Sequence, residues 1–133
     1  MAVTPEIVEA LGGSEERSEP VRTPEELKAW IREGLPFSSL ESVMKRFGFS
    51  REEVAWALDL PPRTFARRKL ERRLRPAESD RLFRLTRIAS QATGVLGGED
   101  KAARWLHAPN RALGGEVPLE LLDTDLGARQ VEE

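Results

Sequence analysis

The residues best suited to chemistry in this 133-residue sequence are basic side chains concentrated in one segment. Between positions 63 and 87 there are ten basic and three acidic residues, a local excess of +7, whereas the whole chain has a net charge of −2. Guanidinium and ammonium groups bind phosphates, so this segment is suited to a polyanion although the rest of the chain is acidic. The alternative is a solvated basic face that forms salt bridges with acidic parts of the same chain.

Other kinds of chemistry have little support in the sequence. It contains no cysteine and a single histidine, His107, which excludes disulfides, thiolate metal sites and clusters of soft metal ligands. His107 lacks a nucleophile at a suggestive spacing, and its neighbours Trp105 and Pro109 favour a packed or half-exposed ring. The glycines between positions 94 and 98 follow a helix, so they predict a helix stop and not a nucleotide-binding loop. We therefore expect no enzymatic activity, no cofactor and no metal.

Two short helices joined by a tight turn position the basic residues. The residues Ser50 to Glu53 form a capping box that opens a helix ending near Leu58, and a Pro-Pro turn leads into a second helix from about Arg63 as far as Arg75. This pattern is typical of a helix-turn-helix, whose second helix lies in the DNA major groove. The predicted DNA-binding residues are Arg63, Thr64, Arg67, Arg68, Lys69, Arg72 and Arg73.

Hydrophobic spacing along the rest of the chain predicts an all-α protein: a helix-turn-helix bundle, then a long helix, then a compact module of short helices. Residues 1–22 are expected to be a mobile acidic leader with at most one turn of helix. Residues 23–76 are assigned to the DNA-binding region, and residues 77–133 to the long helix and the module of short helices. No signal peptide and no long apolar run occurs, which favours a cytoplasmic protein without membrane contact.

The segment KAARWLHAPNRALGGEVPLELLDT, from position 101 to 124, interleaves apolar residues with Pro, Asn and a Gly pair. It is too broken by helix stops to be one helix and too apolar to be a disordered tail. We expect an irregular module that packs against this chain or against a partner.

The chain resembles the Xre/MbcA/ParS antitoxin family in three segments: RTFARRK, ESDRLFRLTRIASQA and KAARWLHAPNRALGGEVPLELLDTDLGARQV. Members of that family combine an Xre-like helix-turn-helix with a C-terminal toxin-binding domain, and the resemblance extends from about Gly34 to the end. Its most specific part is WLHAPNRALGGEVPLELL. The family motif also includes Ser79, Asp80 and Arg81 at the start of the long helix. Family members commonly continue beyond the positions of Gly127 and Val131 with another apolar, glycine-containing stretch, and this sequence ends at Glu133.

The resemblance implies a type II antitoxin whose partner is a RES-domain toxin that depletes NAD. It further implies that the helix-turn-helix binds operator DNA and represses the shared operon. The predicted toxin-binding residues are Trp105, Pro109, Asn110, Arg111, Leu113, Gly114, Pro118, Leu119, Leu122, Arg129 and Gln130. For Trp105, Leu119 and Leu122, packing inside the module is an equally good interpretation, whereas polar residues such as Asn110 and Arg129 are better suited to an interface.

Two other functions are compatible with these residues. One is a protein-binding adaptor whose basic face pairs with acidic partners and never contacts DNA. The other is a transcriptional repressor whose C-terminal part serves only for dimerisation. Both DNA-binding functions predict a homodimer, because paired half-sites require paired helices.

Overall fold

The computed structural model describes residues 5–12 and 21–133, and within these ranges the secondary structure is helical. The α-helices are α1 (Pro5–Ala10), α2 (Pro24–Glu33), α3 (Phe37–Phe47), α4 (Arg51–Leu58), α5 (Pro62–Glu71), α6 (Pro76–Leu96), α7 (Glu99–His107) and α8 (Asp125–Glu132). Two 3₁₀ helices, η1 (Arg111–Leu113) and η2 (Pro118–Asp123), lie between α7 and α8. The only extended pairings in these ranges are two isolated bridges. The all-α prediction is confirmed.

Side-chain caps begin helices α2 and α4 where the sequence predicts them. The Thr23 hydroxyl accepts a hydrogen bond from the Glu26 N–H at 3.1 Å, and Pro24 occupies the first turn. At α4, Ser50 Oγ accepts from the Glu53 N–H at 3.1 Å, while Glu53 Oε1 accepts from the Ser50 N–H at 2.7 Å. Each such cap contributes about 1 kcal/mol by satisfying backbone donors that have no partner inside the helix.

Helix α5 ends earlier than the sequence predicts, at Glu71 and not near Arg75. Arg72 adopts a left-handed conformation with φ 63°, and the chain then pairs with the segment before α3. The Leu74 N–H donates to the Leu35 carbonyl at 2.8 Å, and the Phe37 N–H donates to the Arg72 carbonyl at 3.1 Å. The pairing also buries Leu74 almost completely. Its hydrogen bonds take the place of those that a longer α5 would form, and the burial of Leu74 adds apolar stabilisation.

The N-terminal residues correct the prediction of a mobile leader over positions 1–22. Helix α1 packs against α3 and α6, and Ile7, Ala10 and Leu11 are buried in the core. The Ser39 and Ser42 hydroxyls donate to the carbonyls of Leu11 and Ala10, which fixes the end of α1 on α3. Residues 5–12 are therefore part of the folded protein. The rest of the predicted leader, apart from positions 21 and 22, lies outside the described residues.

Helix α6 is the longest helix of the described residues and organises the core. At 21 residues it is about 30 Å long. Its predicted apolar stripe is buried at Leu82, Leu85 and Ala89, whereas Ala92 and Leu96 are only half-buried because this end of the helix is less covered. Ser79, near its start, accepts from the Leu35 N–H and donates to the Arg75 carbonyl, so this motif residue ties α6 to the segment before α3.

The same hydrophobic core continues from the N-terminal helices into the C-terminal module, which we define as residues 99–132. Trp56 of α4 donates from Nε1 to the Glu120 carbonyl of η2 at 3.0 Å. Arg84 of α6 donates to the Leu122 carbonyl at 2.7 Å. The core thus crosses the predicted boundary at residues 76 and 77, and the division into two domains there stays a prediction.

Candidate nucleic-acid and protein interfaces

Helices α4 and α5 form the predicted helix-turn-helix, with a turn at residues 59–61. Asp59 ends α4 in a left-handed conformation with φ 55°, which Asp tolerates better than most residues. The Leu60 N–H donates to the Ala55 carbonyl at 2.8 Å, and the Leu60 side chain is buried. Pro61 and Pro62 then begin α5 where no backbone donor is required. These constraints fix the orientation of α5 relative to α4.

Phe65 anchors α5 on the protein. Its ring packs edge to face against Phe37, with centroids 5.4 Å apart, and the Arg51 guanidinium lies over the Phe65 ring, 4.7 Å from its centroid. Because Phe65 faces inward, Arg63 and Arg67 on the opposite side are exposed to solvent. Thr64 is half-buried at the edge of the contact.

Four of the predicted DNA-binding cations have no partner among the residues that the structure describes. Arg63, Arg67, Lys69 and Arg72 are exposed, and none forms an ion pair or side-chain hydrogen bond with another described residue. Cations without internal partners can neutralise phosphates without first breaking a contact. The geometry therefore keeps these four in the candidate DNA interface.

Arg68 has a different environment. Its side chain is buried, and Nε donates to Glu78 Oε1 of α6 at 2.7 Å while Nη1 donates to Glu71 Oε1 at 3.1 Å. The hydrogen bond to Glu78 raises the pKa of Arg68 more than burial lowers it. Burial would raise the pKa of Glu78, but hydrogen bonds from Arg68 and from the Arg75 N–H together lower it. Arg68 thus joins α5 to α6, and this geometry does not place it at a DNA surface.

Arg73 also makes internal contacts. Its Nη1 donates to the carbonyls of Gly34 at 2.9 Å and Glu33 at 3.3 Å, at the C-terminal end of α2. A cation at this end satisfies backbone acceptors and interacts favourably with the helix dipole. The structure therefore places Arg63 and Arg67 on the outward side of α5, Lys69 on the side of Phe65 and Arg72 at the end of the helix. Arg68 and Arg73 are separated from them by their internal contacts.

The structure adds two cations that sequence reasoning missed. Lys45 of α3 and Arg51 at the start of α4 line one groove with Lys69 of α5. The apolar side of this groove includes Phe37 and Phe65. No local pattern could have found this arrangement, because the three cations come from three helices.

In the C-terminal module, the predicted toxin-binding residues divide by burial. Pro118, Leu119 and Leu122 are buried, so they support the module from inside. Trp105, Asn110 and Leu113 are half-buried, and the exposed residues are Pro109, Arg111, Gly114, Arg129 and Gln130. Arg129 pairs with Asp125 at 3.0 Å, one helical turn earlier in α8.

Residues 108–117 form an exposed connection that we call the Asn110 loop. The Asn110 N–H donates to the Glu116 carbonyl at 3.0 Å, and its side-chain oxygen accepts from the Ala112 N–H at 2.8 Å. Gly114 and Gly115 follow with φ values of 69° and 83°, which a side chain would strain. The loop is thus held by its own backbone and presents Arg111 to solvent.

A surface groove of about 420 Å³ lies beside this module, between α6, α7 and the end of α8. We call it the Trp105 groove. Its apolar lining consists of Ile88, Ala92, Val95, Leu96, Trp105 and Val131. Val95 is 83% exposed, and the carboxylates of Glu132 and Glu133 lie at the edge. Sequence reasoning missed Val95, although its position outside the buried stripe of α6 was an available signal.

His107 links the two parts of the protein. Its Nε2 lies 2.7 Å from Glu53 Oε2 of α4, and its Nδ1 lies 2.6 Å from the Ala103 carbonyl. Neither contact involves a nucleophile. Among the described residues, no group of three or more His, Cys, Asp or Glu side chains could hold a metal ion. Within the same ranges, none of the helices combines the length and apolar character required to cross a bilayer.

Comparison with known proteins assigns both regions. The antitoxin Xre-like helix-turn-helix domain matches residues 26–87, and the antitoxin Xre/MbcA/ParS C-terminal toxin-binding domain matches residues 91–133. Among curated proteins, the antitoxin Xre of Yersinia enterocolitica is 31% identical over 103 residues, which cover 76% of this chain and 70% of the relative.

Two further relatives bear the same name. The antitoxin Xre of Photorhabdus laumondii is 31% identical over 107 residues, covering 79% of this chain and 72% of the relative. The antitoxin Xre of Pseudomonas putida is 46% identical over 56 residues, which cover 42% of this chain and 35% of the relative. The two domain matches together span residues 26–87 and 91–133, the first two relatives match more than two thirds of both chains, and the chain belongs to the Xre family of antitoxins.

Proposed function

We propose that this Xre-family antitoxin neutralises a RES-domain, NAD-depleting toxin by direct contact through residues 91–133. We also propose that it represses its own operon as a homodimer through α4 and α5. The protein would act in the cytoplasm, where operator DNA is found.

The main observation that supports DNA binding is the exposed, basic side of α5. Arg63 and Arg67 project from a helix whose other side is fixed by Phe65, and neither pairs with another residue in the described part of the chain. An isolated charge run could be only a solvated face, but here the cations lie on the second helix of a helix-turn-helix. Operator DNA with two half-sites would require two such helices, which supports a homodimer.

The toxin contact is proposed at the exposed surfaces of the C-terminal module. The Asn110 loop offers a preorganised backbone with Arg111 at its surface, and the Trp105 groove offers apolar area open to solvent. Exposed apolar grooves with a polar edge are typical of protein interfaces. In this proposal Leu119 and Leu122 shape the module without contacting the toxin.

Co-expression with the product of the adjacent gene tests the proposal. We expect that product alone to stop growth and lower cellular NAD, and co-expression of this chain to restore both. The two proteins should purify as one complex. Toxicity without a change in NAD would contradict the RES-toxin assignment, and absence of both complex and toxicity would favour a repressor without a toxin partner.

Repression is tested separately with a reporter fused to the operon promoter. We expect this chain to lower reporter output and Arg67→Ala to restore it. The Arg129→Ala variant is a matched control, because Arg129 is also an exposed arginine but lies in the C-terminal module. Equal repression by the wild type and Arg67→Ala would contradict the proposed role of α5.

A further inference from the structure

The outward face of α5 alternates cations with apolar side chains. Arg63, Ala66, Arg67 and Leu70 are all exposed and follow the spacing i, i+3, i+4, i+7, which places them on one side of the helix. We call these four residues the reading face. Recognition helices of homeodomains use the same spacing for the residues that enter the major groove.

Leu70 is 85% exposed at the end of this face and contributes almost nothing to the core. A single exposed leucine is ordinary on a protein surface. This one, however, is flanked along the chain by Arg67, Lys69 and Arg72, which are exposed and form no ion pair with another described residue. A partner complementary to this surface must be strongly anionic and must also offer apolar groups between its charges.

The DNA major groove has both properties. Phosphates line its edges, and each A·T pair presents the 5-methyl group of thymine on its floor, where apolar side chains make contact. Along the helix axis Ala66 and Leu70 are about 6 Å apart, which is close to two base-pair steps of about 3.4 Å each. The same separation holds for Arg63 and Arg67, whose guanidinium groups match the acceptors of guanine.

We propose that Ala66 and Leu70 contact thymine 5-methyl groups in the operator, so that each half-site is selected partly by thymine next to guanine. This inference rests on the proposed DNA-binding function and specifies what the reading face recognises. Leu70 is then a specificity-determining residue although it carries no polar group.

Replacement of thymine by uracil in the operon promoter tests the proposal, since it removes the methyl groups and keeps the base-pairing edges. The promoter fragment is prepared with dTTP or with dUTP, and the two dissociation constants are measured at one salt concentration. For the wild type we expect binding to weaken about fourfold for each thymine methyl group that the protein no longer touches, the effect of exposing one methyl-sized group.

Two variants separate direct contact from changes in DNA shape. Leu70→Ala should bind the thymine fragment more weakly and reduce the difference between the two fragments by the part that Leu70 contributes, about fourfold for each methyl group it touches. The contact of Ala66 and any effect of DNA shape remain in both proteins. The salt dependence of Leu70→Ala should match that of the wild type, since no cation is removed. Val95→Ala is the matched control: Val95 is 83% exposed but belongs to the Trp105 groove, so this variant should keep the wild-type ratio.

The outcomes distinguish this inference from the function on which it rests. Specific promoter binding with equal affinity for both fragments would overturn the methyl contact and leave the DNA-binding function intact. A ratio for Leu70→Ala equal to the wild-type ratio would also overturn the role of Leu70. No specific binding to either fragment would contradict the DNA-binding function itself.

Discussion

Helix α5 and the C-terminal module present their predicted functional residues in different ways. On α5 one regular helix divides the side chains into an inner and an outer side, so exposure follows the helical period. In the C-terminal module, 3₁₀ helices and a glycine loop divide neighbouring residues between core and surface within a few positions. The comparison teaches that a motif on a regular helix indicates which residues face a partner, whereas a motif spread over short elements does not.

The largest expected effect tests whether the two regions are one folding unit. Leu122 of η2 is almost completely buried in the core that α4 and α6 share. Leu122→Ala should lower the free energy of unfolding by about 2–5 kcal/mol through reduced burial and a residual cavity. Thermal unfolding should remain a single transition in which both regions unfold together. Two separate transitions would mean that the helix-turn-helix folds independently of the C-terminal module.

The next effect distinguishes two adjacent arginines of α5. Arg68→Ala leaves the buried Glu78 carboxylate without its guanidinium partner and should cost about 3 kcal/mol of stability. Arg67→Ala removes an exposed residue and should change stability by less than about 0.5 kcal/mol. Chemical denaturation of both variants measures the contrast. Equal stabilities would contradict the role assigned to the Arg68–Glu78 pair.

Acid should remove the advantage of the Arg68–Glu78 pair. The folded-state pKa of Glu78 is lowered from its ordinary value of 4.5, so the pair stabilises the protein above that value and the contribution disappears as the pH falls through the folded-state pKa. The stability difference between the wild type and Glu78→Gln should therefore shrink on acidification. If the difference stays constant or grows, the ion pair between Arg68 and Glu78 is not its source.

For DNA binding we expect the opposite contrast: Arg67 should matter and Arg68 should not. Arg67→Ala should weaken operator binding by about 1–3 kcal/mol, and removal of a phosphate contact would also reduce the salt slope by about 1. The double variant Arg68→Gln with Glu78→Gln removes both charges of the buried pair and should leave that slope unchanged. Fluorescence titrations at several salt concentrations provide both values, and a reduced slope for this double variant would place Arg68 at the DNA.

The smallest effect concerns the toxin surface. Val95→Asp places a charge in the Trp105 groove without disturbing the core and should weaken toxin binding by about 1 kcal/mol, roughly fivefold. Leu126→Asp, an equally exposed position on α8 outside the groove lining, is the matched control. Calorimetry on the purified pair measures both. Equal affinities for the two variants would exclude the groove from the interface.

Much of the fold was predictable because local signals agree with the final structure. The capping box at Ser50, the turn before α5 and the long helix from Pro76 are all encoded within a few residues. The features that could not be predicted depend on contacts between distant positions. Helix α5 ends at Glu71 because the following residues pair with Leu35 and Phe37.

The candidate sites obey the same rule. The charge pattern indicated α5, but only the packing of α6 reveals that Arg68 faces Glu78 and not solvent. In η2, Leu119 and Leu122 are three residues apart, and side chains at that spacing align in a 3₁₀ helix, which explains their joint burial. For the Trp105 groove the sequence offered a signal only at Val95, because the groove is formed by residues of three helices.

The continuous core couples the two proposed activities, DNA binding and toxin binding, in each molecule. Helix α4 supports the recognition helix on one side and receives η2 on the other through the hydrogen bond from Trp56 to Glu120. A chain cut by a protease before η2, or released early from the ribosome, would leave α4 with an uncovered apolar side. Such a fragment would lose the proposed repression together with the toxin-binding surface. Under that proposal, damage to one molecule would remove both activities at once and raise transcription of the operon that encodes its replacement.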